Sequence, residues 1–480
     1  MKLHHLPALL LAGSLSCTAV NAHAAQQRST LADQSGVAVT IYNQNLALIK
    51  DRRQITLPPG ETELAFRGVS AQLRPETALL RNTAAPGLLH VIEQNFDFDL
   101  LTPQKLLEKY TGKPVRLVRE NPATGKQVVE EATVLSTHQG VVFRIGDRIE
   151  TDPAGRFIFD NVPGNLRDEP TLSILLDNRA SNSQPLELSY LTGGLGWRAD
   201  YVAELNGSDT QLDLLGWVTL TNQSGTSYRN AALQLVAGEI NQVLPEYDQV
   251  RMAAAPLQEV VVTGQKRMSQ ESLFEYHLYT LERPTTLNDN QTKQVSLLSA
   301  TQVPVKKELV LEGSSYYYHS EAGQIGLQLN PVVYIAFDNE EKAGLGMPLP
   351  KGIVRVYKRD RASNAQFIGE DAIEHTPNRE RVRLRLGEAF DVTADKIQTD
   401  FRIVERLVRR NVMDSSYTIE LKNGKRETVT VTVREPIPGD WEMLQENSPH
   451  TRVAAGLVEW KINVPPESRA KLTYTTRVKI

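Results

Sequence analysis

A chain of 480 residues with 53 basic and 57 acidic side chains carries a net charge of −4. That balance lacks the clustered positive surface that phosphate contacts need, so no nucleic-acid partner is expected. The length exceeds what one hydrophobic core serves, which predicts two or three domains. The single cysteine, Cys17, falls in the leading segment, so the remainder has no thiol for pairing, metal ligation or nucleophilic attack.

Residues 1–24 have the pattern of a secretory signal peptide. Met1, Lys2, His4 and His5 give a weakly basic start, Leu6 to Val20 is apolar apart from small hydroxyl residues, and Ala22-His23-Ala24 is a small-x-small cleavage site. Cleavage there removes Lys2 and moves the balance from 53 − 57 = −4 to 52 − 57 = −5. Pro7, Ser14 and Ser16 interrupt the apolar run, which falls short of the roughly 20 residues of a spanning helix, and no transmembrane span is expected. Ser14-Leu15-Ser16 ahead of Cys17 puts serine where a lipid-attachment site wants leucine, so ordinary cleavage is the expectation. The expected destination is the periplasm, with cell-surface or outer-membrane association as the alternatives.

Period-two alternation dominates the rest of the chain. Val37, Val39 and Ile41 alternate with Ala38 and Thr40. Ile55 to Phe66 then reads as strand, turn, strand: pairing Leu57 with Leu64 and Ile55 with Phe66 puts four apolar side chains on one face and leaves Gly60-Glu61 as a two-residue turn. One helix competes, Thr102 to Tyr110, with Thr102 as cap, Pro103 in the first turn and Gly112 past the end. Further strands are expected at Val141 to Ile145, Phe157 to Phe159, Leu186 to Tyr190, Leu212 to Leu220, Ala232 to Val236, Val332 to Phe337, Val354 to Tyr357, Val382 to Leu386, Val458 to Val464 and Leu472 to Val478. Between Tyr417 and Val433 the apolar rows share parity only across an odd loop, which predicts a hairpin at Lys422-Asn423-Gly424 with Gly424 at positive φ. Strands this frequent imply a mostly β chain of two or three antiparallel, immunoglobulin-like β-sandwich domains with few short helices. The expected division is 25–170, 171–380 and 381–480, with a disordered loop at 245–272 inside the middle domain.

Four blocks carry a family resemblance: Leu188-Ser-Tyr-Leu-Thr-Gly-Gly-Leu-Gly-Trp-Arg-Ala-Asp-Tyr201, the run from Leu215-Gly-Trp to Leu-Val236, Glu275-Tyr-His-Leu-Tyr to Leu287, and Lys293-Gln-Val-Ser-Leu-Leu298. In this order, over about 170–480, they resemble the bacterial envelope family numbered 4139 among domains of unknown function, which includes the mucoidy-inhibitor proteins. The resemblance implies an exported, mostly β protein with no assigned catalytic residues. Thr40 to Ile49 resembles the leading region of long members rather than the mucoidy-inhibitor amino-terminal domain.

Candidate chemistry is sparse, and neither a catalytic residue nor a cofactor or metal site is expected. Gly193-Gly194 and Gly196 do not open a helix, so they read as a tight turn delivering Trp197 to the core rather than as a phosphate cradle. Trp217 reads as core too. Tyr316-Tyr317-Tyr318-His319 reads as strand packing, with a sugar platform as the rival. His277 lacks a paired nucleophile, and Glu93, Asp97 and Asp99, like Asp338, Glu340 and Glu341, read as solvated acids rather than calcium ligands. Leu257 to Arg267 resembles the box by which outer-membrane receptors meet the energy-transducing protein TonB, and Glu259, Val260, Val261, Val262 and Thr263 are the candidate partner-binding residues, by strand addition. The reading is an exported envelope module that binds or supports an envelope protein or polysaccharide without catalysis. A polymer hydrolase assembled from distant residues and a TonB-linked adaptor are the alternatives.

Overall fold

The computed structural model describes residues 26–480 apart from 44, 98, 122–123, 139, 164–165, 181–182, 239, 243–267 and 407–410. The candidate partner string 259–263 therefore lies outside the described residues. Alternation becomes strand almost everywhere: Val37, Val39 and Ile41 are buried on one side of strand Gln34–Tyr42, and Leu212, Leu214, Val218 and Leu220 on one side of Gln211–Asn222. The chain is mostly β with several antiparallel-rich sheets, consistent with the expected β-sandwich class. Among the described residues no helix is long and apolar enough to cross a membrane.

The α-helix Pro103–Lys109 forms where its end signals place it. The Thr102 hydroxyl accepts from the Lys105 amide at 3.1 Å, and Gly112 has φ +78° just past the end.

The chain divides into two units, residues 1–36 with 50–190, and residues 37–49 with 191–480. In the first, strands Gln27–Ser29, Gly60–Arg67, Thr171–Asn178 and Leu89–Asp97 form one sheet in that order. Residues 100–167 leave and rejoin it through a backbone neck, where Leu101 N–H donates to Arg167 O and Arg167 N–H to Asp99 O. They carry the helix and a five-stranded antiparallel sheet around Leu117, Val134 and Phe143.

In the second unit, strand Tyr228–Ala237 lies between the parallel residues 38–42 and the antiparallel Tyr276–Thr280, which Ser269–Leu273 extends. Residues 269–272, expected in a loop, are thus strand. A five-stranded sheet runs Gln291–Pro304, Gln211–Asn222, Leu195–Leu205, Gly352–Arg359, Ala365–Ile373. The last sandwich packs a six-stranded on a five-stranded sheet around Tyr417, Tyr474, Trp460, Val431 and Leu472. The sheets do not stop at 170 or 380. Thr171–Asn178 pairs with Gly60–Arg67, and Lys306–Glu312 pairs with Val429–Pro436.

Neither expected hairpin exists. Strands Leu46–Thr56 and Gly60–Arg67 lie in different sheets, and Leu64 pairs with Ile174 rather than Leu57. Strands Asn411–Asn423 and Val429–Pro436 likewise belong to different sheets, so Tyr417 and Val429 enter one core from opposite layers. Gly424 does not have positive φ. The reason is Asn423, which turns inward instead of making a turn. Its amide donates to Glu427 O at 2.8 Å, Val464 O at 3.1 Å and Pro465 O at 2.9 Å, while its carbonyl accepts from the Lys425 amide. The side chain thereby ties a strand end to the connection crossing from the opposite sheet.

The same corner recurs twice. Asn178 donates to Leu57 O and Pro58 O, and Asn222 to Leu287 O and Asn288 O, each at a strand end beside a crossing connection. A buried amide that meets several carbonyls costs little to bury and fixes the crossing point.

Candidate functional site

Parity along Leu195–Leu205 and Gln211–Asn222 decides what the five-stranded sheet shows to solvent. Trp197, Ala199, Tyr201 and Ala203 point inward and are buried, so Arg198, Asp200, Val202 and Glu204 point outward. Register places Asp200 opposite Trp217 and Val202 opposite Leu215. Trp217, expected in the core, is a half-buried outward residue. Its inward neighbour is Gly216, where a Cβ would meet Leu298 Cγ at 2.8 Å and the Tyr201 ring at 3.3 Å.

The outward face continues through Ile353, Arg355 and Tyr357, then Phe367, Glu370 and Ala372. Phe367 is 55% exposed, and its ring meets Tyr357 edge-on with centroids 5.7 Å apart. Trp217 lies two strands away and four residues back in register, roughly 10 Å across and roughly 13 Å along the sheet at ordinary strand spacing and rise. A charged network fills the space between. Asp200, itself buried, accepts from Thr219 Oγ1 at 2.7 Å, Arg198 Nε at 3.2 Å and Arg355 Nη1 at 3.2 Å; Arg355 Nε reaches Glu370 at 3.2 Å. Gln294 donates to the Thr219 hydroxyl. Arginines hold Asp200 as a hydrogen-bond acceptor, and Arg355 is ion-paired with Glu370.

At one end of this face opens a shallow hollow of about 300 Å³, lined by Asn43, Trp197, Arg198, Lys351, Ile353 and Ala372. The Trp197 indole nitrogen is buried and donates to no described atom, an unmet donor of a kind that native interiors seldom leave. Two phenols hold the adjoining segment. Tyr201 donates to Pro350 O at 2.8 Å and Tyr279 to Pro348 O at 2.9 Å, and burial pushes both phenols above their ordinary pKa, keeping them protonated donors.

Other sequence candidates stand apart from this face. Gly193-Gly194 is a turn with Gly194 at φ +78°, and it does lead Trp197 into the interior, tilted on Tyr279 with ring centroids 6.4 Å apart. Tyr316 to Tyr318 are not strand: Ser315–Tyr318 is a 3₁₀ turn capped by the Ser314 hydroxyl, with Tyr316 exposed and Tyr318 buried. His277 shares a hydrogen bond with Gln270. Asp97 is paired with Arg167 and Asp99 with Lys109 and Lys105; Lys109 and Lys105 hold the Asp99 carboxyl below its ordinary range. Glu340 pairs with Lys342. Among the described residues no cluster of three metal-ligating side chains occurs.

The chain is thus mostly β, with antiparallel-rich sheets, and the five-stranded sheet of the second unit bears aromatic rings between arginines and carboxylates on its outward face. The chain belongs to the family DUF4139, described as a domain of unknown function, whose model matches residues 186–480. Three of the five strands of the open face, Leu195–Leu205, Gln211–Asn222 and Gln291–Pro304, overlap the blocks that carried the resemblance; the two that carry Tyr357 and Phe367 lie outside them. No curated protein matches the chain.

Proposed function

We propose that the protein is an exported, non-catalytic module of the cell envelope that binds a polysaccharide chain across the open face of the five-stranded sheet. The observation that carries this reading is the set of outward rings, half-buried Trp217 and Tyr357 and exposed Phe367, with hydrogen-bonding side chains fixed between them. Sugar rings present apolar faces that stack on aromatic rings and hydroxyls that bond to arginine and carboxylate, so both halves of the chemistry are met on one surface. A flat, open face suits a polymer better than a small molecule, which favours concave sites. Export is supported by the leading 24 residues, and mass spectrometry of the mature amino terminus tests it: a start at Ala25 or Gln26 is expected, and a lipidated Cys17 would replace a free module by an anchored one.

Calorimetry of the full chain with isolated envelope polysaccharides tests binding. Trp217→Ala and Phe367→Ala are each expected to weaken it at least about tenfold, a loss of about 1.4 kcal/mol. The stability of Phe367→Ala should stay within about 0.5 kcal/mol of the parent, as for other surface changes. Unchanged affinity in both variants removes this face from the function.

A further inference from the structure

We propose that Lys396 and Glu435 are the reactants of an intramolecular isopeptide bond that joins the two sheets of the last sandwich. Lys396 lies on strand Val392–Arg406 of the five-stranded sheet and Glu435 on strand Val429–Pro436 of the six-stranded sheet. They are 2% and 0% exposed, with Lys396 Nζ 2.6 Å from Glu435 Oε1. An ion pair this short holds the nitrogen close to the roughly 3–3.5 Å separation of a near-attack arrangement with the carboxyl carbon.

The surroundings suit condensation. The ammonium sits over the Tyr317 ring at 5.0 Å and the Tyr417 ring at 5.5 Å. Proton transfer along the Lys396–Glu435 contact gives a neutral amine, the nucleophile, beside a neutral acid. Tyr318 OH donates to Glu435 Oε2 at 3.2 Å, and Tyr474 OH lies 3.1 Å behind it. That phenol stands where negative charge develops on the carbonyl oxygen when nitrogen attacks. Burial holds both phenols well above their ordinary pKa, so the donor stays protonated. Gly313 completes the cradle, because a Cβ there would fall 2.1 Å from Oε2 and 2.4 Å from Cδ.

The step balances without a co-reactant. Nζ forms a bond to Cδ, and the Cδ–Oε1 bond breaks. Oε1 leaves as water with two of the three ammonium protons, the amide nitrogen keeps the third, and Oε2 remains as the carbonyl oxygen accepting from Tyr318. Neither oxidation state nor net charge changes.

Trypsin digestion and mass spectrometry of the purified full chain test the proposal. The expected product is a branched species joining residues 386–402, uncut at Lys396, to residues 435–452, lighter than the sum of the two by one water. Lys396→Arg should yield only linear peptides. Tyr318→Phe, which keeps the ring, should lower the branched fraction several-fold in freshly folded protein, and an unchanged fraction would overturn the role given to that phenol. Parent protein that is folded by circular dichroism yet gives only linear peptides with cleavage after Lys396 overturns the bond itself.

Discussion

Arg53 in the first unit and Lys396 in the second are both cations taken out of water against a carboxylate, and their surroundings differ in kind. Arg53 is saturated with acceptors: Nε and Nη2 donate to Asp51 Oδ2 at 3.2 and 2.8 Å, Nη2 also reaches Arg67 O at 2.8 Å, and Nη1 reaches Ser29 Oγ at 3.4 Å. Its guanidinium lies 3.8 Å from the Phe66 ring centroid, and Gln34 donates to the second oxygen of Asp51. Lys396 meets one carboxylate oxygen and two ring faces. A guanidinium stays charged at any ordinary pH and needs that full set of acceptors, whereas an amine can shed its proton and tolerate an apolar cage. The first pair fixes neighbouring segments of chain; the second is chemically poised.

The largest expected effect comes from removing each carboxylate. Asp51→Ala and Glu435→Ala should each destabilise their own unit by at least about 3–5 kcal/mol at neutral pH, because an unpaired buried charge remains. Hydrogen exchange resolved by peptide reads each unit separately, and a variant that leaves its own unit as protected as in the parent would break the comparison.

Alkali sharpens the contrast from the other side. The Tyr417 phenol is pushed up to about 12, mainly by burial, and those of Tyr318 and Tyr474 are also raised. A folded pKa above the unfolded value of about 10 gives stability that is complete below pH 10 and is lost as pH rises through 12. The last sandwich should therefore loosen in that window while the Arg53 site keeps its ion pair. All four tryptophans, Trp197, Trp217, Trp441 and Trp460, belong to the second unit, so their fluorescence follows that unit alone. Loss of exchange protection around Arg53 before the tryptophan signal changes would reverse the expected order.

Much of this was legible in the sequence. The strands, and the helix with its Thr102 cap, follow from local pattern because local energetics decide them. The hairpins failed because Gly60-Glu61 and Asn423-Gly424 satisfy turn chemistry locally while the chain crosses to another sheet, and a pair of facing apolar rows looks the same for either route. Parity alone places Trp217 outside the core: Leu212, Leu214, Val218 and Leu220 are the buried series, and 217 is out of phase with it. The buried pair had a signal too. Glu435 continues the row Val429, Val431, Val433, and Lys396 the row Val392, Ala394. That the two rows converge on each other across the sandwich is a tertiary fact that no local pattern contains.

The smallest effect expected is at the asparagine corners, which occur in both units and so test whether the contrast is confined to the charged sites. Asn178→Ala and Asn423→Ala each strand carbonyls of a crossing connection, at Leu57 and Pro58 in one case and at Val464 and Pro465 in the other. Leaving such acceptors without a donor costs about 1–3 kcal/mol, and the two variants should cost the same within about 0.5 kcal/mol, independent of pH from 6 to 9. Asp is the sharper replacement. A carboxylate keeps the shape but offers no N–H, so Asn423→Asp should cost more than Asn423→Ala by setting negative charge against three carbonyl oxygens. Urea titrations followed by peptide-resolved exchange give each value in its own unit. A corner in one unit that tolerates Asp would mean that its crossing is held by the sheets themselves and not by the amide.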